Sequence, residues 1–190
     1  MMRAGRGREP QADMEGPRVL ELLTRLAVRG IHVWLDGGWA VDALLETQTR
    51  PHDDLDLVSR IEDNDRIVGL LRESRYVVQY DASPSCFVLV DDEGHQVDVH
   101  PAAFGPNGDG VYRMENGVDW VFPAAGFGGV GRILGRDVPC LTPEVVLANH
   151  TTGYELDEEH ERDVQALSRR YGLPLPEYAR APRLAPPDSA

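Results

Sequence analysis

Apolar side chains recur at helical spacing near the start of the chain and predict a first helix over residues 17–29. These residues are Val19, Leu20, Leu22, Leu23, Leu26 and Val28. Gly30 follows at a position where glycine often ends a helix. A short β-prone run at residues 32–35 then leads through Gly37 and Gly38 into a second helical pattern. Both glycines are therefore predicted in a strand-to-helix turn.

The next segment alternates polar and apolar residues, which is the pattern of a half-buried strand. Over residues 53–58, Asp54 and Asp56 share one face, while Leu55 and Leu57 share the other. A helix is predicted over residues 63–75, and further strands over residues 76–80, 86–90 and 96–100. Asp98 lies in the middle of the last of these strands.

The C-terminal part of the chain predicts a loop, a hairpin and two helices. Residues 126–131 contain four glycines and are expected to form a mobile loop, and residues 132–141 predict a hairpin. Helices are predicted over residues 142–150 and 157–171. We therefore expect an α+β fold, a mixed sheet flanked by helices in one domain over residues 15–178. Its short helical C-terminal part covers residues 142–172, and disordered tails are expected at residues 1–14 and 179–190.

Charge narrows the range of partners. The chain has 32 acidic and 19 basic residues among 190, a formal net charge of −13. This charge repels phosphate backbones and anionic membranes, so we expect no nucleic acid and no membrane as partner, and it attracts small cations. Cys86 and Cys140 lie in apolar runs, and no apolar segment suits a signal peptide or a membrane span, so we expect a cytoplasmic protein. The sequence leaves open whether the chain forms a homodimer.

Three aspartates form a candidate metal site. Residues i and i+2 of a strand lie about 7 Å apart on one face, so Asp54 and Asp56 can reach shared metal ions. Mg²⁺ prefers oxygen ligands and binds through a few carboxylates plus substrate phosphates. Asp98 would add a third carboxylate if its strand lies beside that of the other two. Taken alone, an Asp-Leu-Asp pattern is also common on solvated strands.

Three motifs follow one another in the chain: Gly-Gly-Trp-Ala-Val-Asp at residues 37–42, Arg-Pro-His-Asp-Asp-Leu-Asp at 50–56 and Val-Asp-Val-His-Pro at 97–101. Their combination resembles the small-molecule nucleotidyltransferases of the DNA polymerase beta superfamily, with most likeness to lincosamide nucleotidyltransferases and aminoglycoside 2''-adenylyltransferases. The resemblance implies Mg²⁺-dependent transfer of a nucleoside monophosphate, AMP from ATP or that of another NTP, to a hydroxyl of a small molecule. The implied acceptor is a lincosamide or aminoglycoside, and Asp54, Asp56 and Asp98 would hold the metal and carry the catalysis.

The resemblance also implies that Gly37 and Gly38 face the triphosphate and that Arg50 and His52 form a basic pair beside the metal ligands. Physical chemistry supports these roles, because a glycine turn at a helix start brings backbone N–H groups to phosphate oxygens. The Arg50 guanidinium can neutralise charge that develops there. An ordinary tight turn at the glycines and a core or capping role for His52 are the alternatives.

Asp98 is also the predicted general base, since no Ser–His or Cys–His pair is evident nearby and an ionised carboxylate can accept a hydroxyl proton. One alternative function is a toxin–antitoxin nucleotidyltransferase that modifies or binds a protein partner. Another is a binding module without catalysis, which the intact aspartates disfavour. A metal phosphoesterase would need more clustered histidines than the six in this chain offer.

Overall fold

The computed structural model describes residues 12–151 and 158–175. Within that part of the chain, one mixed sheet of nine strands is flanked by helices, so the predicted α+β fold is confirmed. The helices are Gly16–Val28 (α1), Gly37–Leu45 (α2), Asn64–Arg72 (α3), Pro143–Thr151 (α4) and Glu158–Tyr171 (α5). The 3₁₀ turns are Ile61–Asp63 and Ala124–Gly128.

The nine strands have the following bounds in chain order. They are Val33–Leu35 (β1), Asp54–Arg60 (β2), Val77–Asp81 (β3), Phe87–Val90 (β4), Gln96–Phe104 (β5), Gly110–Arg113 (β6), Asp119–Phe122 (β7), Gly129–Ile133 (β8) and Arg136–Cys140 (β9). Neighbouring strands follow the order β3-β4-β5-β2-β1-β9-β8, and the β6–β7 hairpin extends from β5 through the β5–β6 pair.

The central pair β2 and β5 is parallel, and its register runs from Asp54 opposite Gln96 to Arg60 opposite Ala102. Leu55 of β2 is fully buried on one face. Because side chains alternate along a strand, Asp54 projects to the other face. The hydrophobic core thus fixes which face of the sheet carries the aspartates.

The glycine-rich segment 126–131 is not the mobile loop that the sequence predicted. Its first residues belong to a 3₁₀ turn and its last to β8. A Cβ at Gly131 would lie 2.6 Å from the Cβ of Ala43, and one at Gly129 would lie 2.5 Å from the carbonyl oxygen of Cys140. These glycines permit close packing of β8 against α2 and β9, so their role is steric.

Strands β6 and β7 were missed by the sequence reading. Each is only four residues long and offers few alternating positions. Pairing with neighbouring strands positions both of them: Tyr112 of β6 lies opposite Ala102 of β5 on one side and Trp120 of β7 on the other. The hairpin therefore continues one face of β5 outward.

The N-terminal boundary lies earlier than residue 15. Met14 is fully buried, and its backbone N–H donates to the carbonyl of His52 at 2.6 Å. A single methionine among polar residues gave no periodic signal for this contact. Residues 1–11 and 179–190, predicted as tails, lie outside the described residues, as do residues 152–157 between α4 and α5. None of the described helices is long and apolar enough to cross a membrane.

Candidate active site

Three carboxylates meet on one face of the central strands. Asp56 on β2 lies directly opposite Asp98 on β5, and Asp54 precedes Asp56 by two residues on the same face. One carboxylate oxygen from each of the three lies within 4.8 Å of the others. The parallel register thus brings together residues that are more than forty positions apart in sequence.

This donor set suits magnesium. Ligands around Mg²⁺ lie at about 2.1 Å from the ion and hence roughly 3 to 4 Å from each other, a range that falls within the 4.8 Å limit found for these oxygens. The carboxylates leave further coordination positions to water or to substrate phosphates. The chemistry of the three side chains therefore fits the metal that the sequence predicted.

Two neighbours on β5 orient the carboxylates. The side-chain amide of Gln96 donates to Asp98 Oδ1 at 2.6 Å. His100 Nε2 lies 3.3 Å from Asp56 Oδ1, and its Nδ1 lies 3.4 Å from the hydroxyl of Tyr112. Burial opposes protonation of His100, but the hydrogen bond and the charge of Asp56 outweigh it and raise its pKa. The charge of Asp56 therefore favours the protonated form of the His100 ring that it contacts.

The two glycines lie where the chain passes from β1 into α2, as predicted. Gly37 has a φ of +60°, which glycine adopts without strain. A Cβ at Gly37 would collide with the carboxylate of Asp56. At Gly38 a Cβ would lie 2.5 Å from Cε1 of His52 and 2.9 Å from Nη2 of Arg50. The turn therefore brings Gly37 against a metal ligand and Gly38 against the basic pair, with no room for a side chain.

His52 is held by a buried carboxylate. Its Nε2 lies 2.5 Å from Asp42 Oδ2, and both side chains are at least 97 % buried. The backbone N–H and the hydroxyl of Thr49 both donate to the other oxygen of Asp42. The ring also packs on Trp39, with centroids 5.0 Å apart. Asp42 thereby fixes the ring so that its opposite edge faces Gly38.

Arg50 reaches from the turn before β2 to the C-terminal helix. Its Nη2 lies 3.4 Å from Asp163 Oδ2 and its Nη1 lies 3.5 Å from Glu159 Oε2, both on α5. Burial raises the pKa of Asp163, while His150 and Arg50 oppose that shift. The buried Nε of Arg50 forms no hydrogen bond within the part of the chain that the structure describes. The guanidinium thus lies beside Gly38 in long, loose ion pairs.

Asp36 is a further, half-buried acid that the sequence reading did not assign to the site. Its Oδ2 accepts a hydrogen bond from the Asn149 side chain of α4 at 2.8 Å. Among the described residues, its Oδ1 and the Oδ1 of Asn149 are both buried without a hydrogen-bond partner. Burial raises the pKa of Asp36; His150 opposes that shift and the charge of Asp56 adds to it. A carboxylate directly after the apolar strand β1 was the available signal.

The chain matches the family model of the aminoglycoside-2''-adenylyltransferases over residues 18–167. A lincosamide resistance protein from Staphylococcus haemolyticus is 29% identical over 149 residues, which is 78% of this chain and 89% of that protein. A 2''-aminoglycoside nucleotidyltransferase from Escherichia coli is 28% identical over 127 residues, 67% of each protein.

Solved structures show the same relationship. The crystal structure of the lincosamide antibiotic adenylyltransferase LnuA with bound lincomycin superposes with a TM-score of 0.74 at 26% identity, covering 83% of this chain and 98% of that one. The crystal structure of ANT(2'')-Ia in complex with adenylyl-2''-tobramycin gives a TM-score of 0.65 at 21% identity, covering 82% and 88%. The second comparison supports the fold alone.

Proposed function

Because the chain belongs to the aminoglycoside-2''-adenylyltransferase family, we propose that it is a nucleotidyltransferase that transfers AMP from ATP to a hydroxyl group of a lincosamide or aminoglycoside antibiotic. The observation that carries the proposal is the convergence of Asp54, Asp56 and Asp98 within 4.8 Å on adjacent strands. The relatives of this family share an NTP co-substrate, and ATP is the NTP proposed here.

The three aspartates are proposed to bind Mg²⁺. An ion held by these side chains would supply positive charge that stabilises the charge developing on the nucleotide phosphates. Asp54 and Asp56 offer oxygens from β2, while Asp98 offers one from β5. Gln96 donates a hydrogen bond to Oδ1 of Asp98, so the orientation of this carboxylate does not depend on the metal alone.

The proton of the acceptor hydroxyl is proposed to pass to Asp98. As the hydroxyl oxygen forms its bond to the α-phosphorus, the bond between that phosphorus and the bridging oxygen breaks and pyrophosphate leaves. Asp98 lies on the strand beside Asp56, close enough to serve an acceptor that approaches the same phosphate. A general base of this kind contributes about 100- to 10,000-fold in rate.

The turn before α2 is proposed to receive the triphosphate. Gly37 and Gly38 bring backbone rather than side chains to that surface. Arg50 lies beside Gly38 in ion pairs of 3.4 and 3.5 Å, which phosphate oxygens could replace. His52 is proposed to support this turn, because Asp42 holds its ring against Gly38.

The acceptor is proposed to be a cationic, hydroxylated small molecule. The relatives are named for lincosamide and aminoglycoside antibiotics, and the net charge of −13 attracts an aminated acceptor. The toxin–antitoxin alternative is not favoured, because none of these names refers to a protein acceptor. Action in the cytoplasm and the exclusion of nucleic acid as a partner remain predictions, and the homodimer remains open.

Transfer to an antibiotic tests the proposal directly. Purified protein is incubated with ATP, MgCl₂ and either lincomycin or tobramycin, and mass spectrometry detects an added AMP group while pyrophosphate release is followed. We expect a modified antibiotic in wild type, and none without divalent cation or in Asp56→Asn. Pyrophosphate release with neither antibiotic modified would contradict the proposed acceptor class, and a fully active metal-free enzyme would contradict the mechanism.

A further inference from the structure

The face that carries Asp98 extends across β4 and β3. Val88 on β4 lies opposite Asp98, and Tyr80 on β3 lies opposite Val88. Cys86 is two residues before Val88 and therefore projects to the same face. Burial, Glu115 and Asp98 together raise the pKa of the Cys86 thiol to about 12, which also places the thiol within electrostatic reach of Asp98.

Glu115 reaches this face from the turn between β6 and β7. Its Oε2 accepts a hydrogen bond from the hydroxyl of Tyr80 at 2.9 Å, and its Oε1 accepts one from the thiol of Cys86 at 3.3 Å. The thiol donates because its raised pKa keeps it protonated. Two neutral donors from two strands thus fix both oxygens of one carboxylate beside the predicted transfer site.

Glu115 and Asp119 lie on the same hairpin but differ in the partners of their carboxylates. Asp119 forms an ion pair with Arg113, whose Nη2 donates to its Oδ2 at 3.0 Å. Glu115 forms no ion pair with an arginine or histidine within residues 12–151 and 158–175. Its side chain is exposed, so its charge is available to a ligand that carries a cation.

We propose that Glu115 binds an ammonium group of the acceptor and so places an acceptor hydroxyl at Asp98. Neighbouring strands lie about 4.8 Å apart, so a ligand lying across β4 would separate its amine from its hydroxyl by roughly 5 to 10 Å. An amino sugar or another aminated polyol has this spacing. The inference rests on the proposed nucleotidyl transfer and specifies the group by which the acceptor is recognised.

The aromatic side chains of the same face support this class of ligand. Tyr80 holds Glu115 on one side, and Tyr112 and the half-buried Trp120 lie opposite each other on β6 and β7. Aromatic rings attract cations and pack on the apolar faces of sugars. Tyr112 is buried, so an acceptor between these strands would meet the Glu115 carboxylate together with the half-buried rings of Tyr80 and Trp120.

Binding of amines of known charge tests the proposal without relying on catalysis. Tobramycin, lincomycin and fully N-acetylated tobramycin are titrated calorimetrically into the full chain with Mg²⁺ and a non-hydrolysable ATP analogue. Glu115→Gln keeps the size of the side chain and one acceptor oxygen, replaces the other oxygen by an NH₂ donor, and removes the charge. Asp119→Asn, with the same change of charge on the same hairpin, is the matched control, and thermal melting confirms that both variants fold.

We expect Glu115→Gln to weaken binding of at least one of the two aminated antibiotics by about tenfold, the lower range for a charge-assisted hydrogen bond. Asp119→Asn should bind as wild type does, and the acetylated compound should bind all three proteins equally. Equal affinity of Glu115→Gln and wild type for both amines, an equal loss in Asp119→Asn, or a wild type that binds neither amine would overturn the proposal.

AMP transfer is measured on the same proteins. Charge-dependent amine binding without transfer would contradict the proposed function and leave the ammonium site standing. Transfer with unchanged acceptor affinity in Glu115→Gln would contradict the ammonium site alone.

Discussion

Two groups of three side chains have a spacing that could hold a metal ion, one in the turn before β5 and one on β2 and β5. The first consists of Asp91, Glu93 and His95 and the second of the three aspartates, and in each the ligand atoms lie within 4.8 Å of one another. In the turn group, Arg18 lies 2.9 Å from Asp91 and 3.0 Å from Glu93. The two groups therefore have the same spacing but different partners.

The hydrogen bonds explain why spacing alone does not identify a metal site. Asp91 Oδ1 accepts the backbone N–H groups of Glu93 and His95, so this carboxylate closes its own turn. The triad instead comes from two separate strands, and Gly37 removes the side chain that would cover Asp56. We infer that the turn group stabilises the fold and that the triad serves catalysis.

The largest expected effect separates the two groups most clearly. Asp56→Asn should lower kcat/KM by about 10,000-fold or more, because it removes a charged metal ligand and several kcal/mol of transition-state stabilisation with it. Asp91→Asn removes a carboxylate from the other group and should leave kcat/KM within about twofold. Steady-state kinetics of both variants measures this difference, and comparable losses in the two would refute the assignment.

The role of Asp98 is the next largest effect. Asp98→Asn should lower kcat by about 100- to 10,000-fold with nucleotide affinity changed by only a few-fold, as expected for loss of a general base. A purely metal-holding role would instead weaken nucleotide binding together with turnover. Measuring kcat and the Kd for ATP separates the two, and near-normal kcat would transfer the proton-accepting role to His100 or to a water molecule.

Gly38→Ala tests the turn that faces the triphosphate. The added Cβ would lie 2.5 Å from His52 Cε1, so the ring or the turn must move. We expect the KM for ATP to rise by about tenfold and the free energy of unfolding to fall by about 1 to 3 kcal/mol. Gly69→Ala is the control, because a Cβ there meets nothing within 4 Å and alanine should stabilise α3 by about 0.5 to 1 kcal/mol. An unchanged KM in Gly38→Ala would remove the turn from the nucleotide site.

The smallest effect concerns the pH dependence of stability in the turn group. Burial opposes ionisation of Asp91. Hydrogen bonds from the backbone N–H groups of His95 and Glu93 and from the His95 ring outweigh burial and lower the pKa of Asp91. The ionised Asp91 therefore contributes its full stabilisation above the pKa of the unfolded-state carboxylate, about 3.9. This stabilisation is lost as the pH falls through the lower pKa of Asp91 in the folded protein.

Asp91→Asn should accordingly cost about 1 to 3 kcal/mol in the free energy of unfolding at pH 7, through lost hydrogen bonds to the charged group. The difference from wild type should shrink below about pH 4, where the carboxylate of the unfolded state takes up its proton, and should vanish once the folded-state carboxylate is protonated as well. Urea unfolding of both proteins between pH 7 and pH 3 measures the change. A difference that stays constant over this range would show that the charge of Asp91 contributes nothing.

The sequence predicted the features that local patterns encode. The alternation around Leu55 placed Asp54 and Asp56 on one face, and the glycine pair marked the turn before α2. The α+β class and the helices at both ends of the domain followed from periodicity in the same way. The proximity of Asp98 to Asp56 depends on the register of β2 with β5, which no local pattern encodes. It was therefore expected from the family resemblance.

The features that the sequence did not predict depend on distant contacts. Residues 126–131 read as a flexible loop because packing of Gly131 against α2 has no local signal. Strands of four residues, such as β6 and β7, offer too few positions for a period to emerge. Asp36 and Glu115 were missed for the same reason, because their partners Asn149 and Tyr80 lie far away in sequence.

Calorimetric titration of ATP, with and without Mg²⁺, into wild type, Asp56→Asn and Asp91→Asn compares the two groups of ligands most directly. Wild type and Asp91→Asn should bind ATP tightly only when Mg²⁺ is present. Asp56→Asn should lose this magnesium-dependent gain, because the cation that links the nucleotide to β2 and β5 is no longer held. Equally strong binding of ATP without Mg²⁺, or loss of the gain in Asp91→Asn with retention in Asp56→Asn, would contradict the assignment of the metal to Asp54, Asp56 and Asp98.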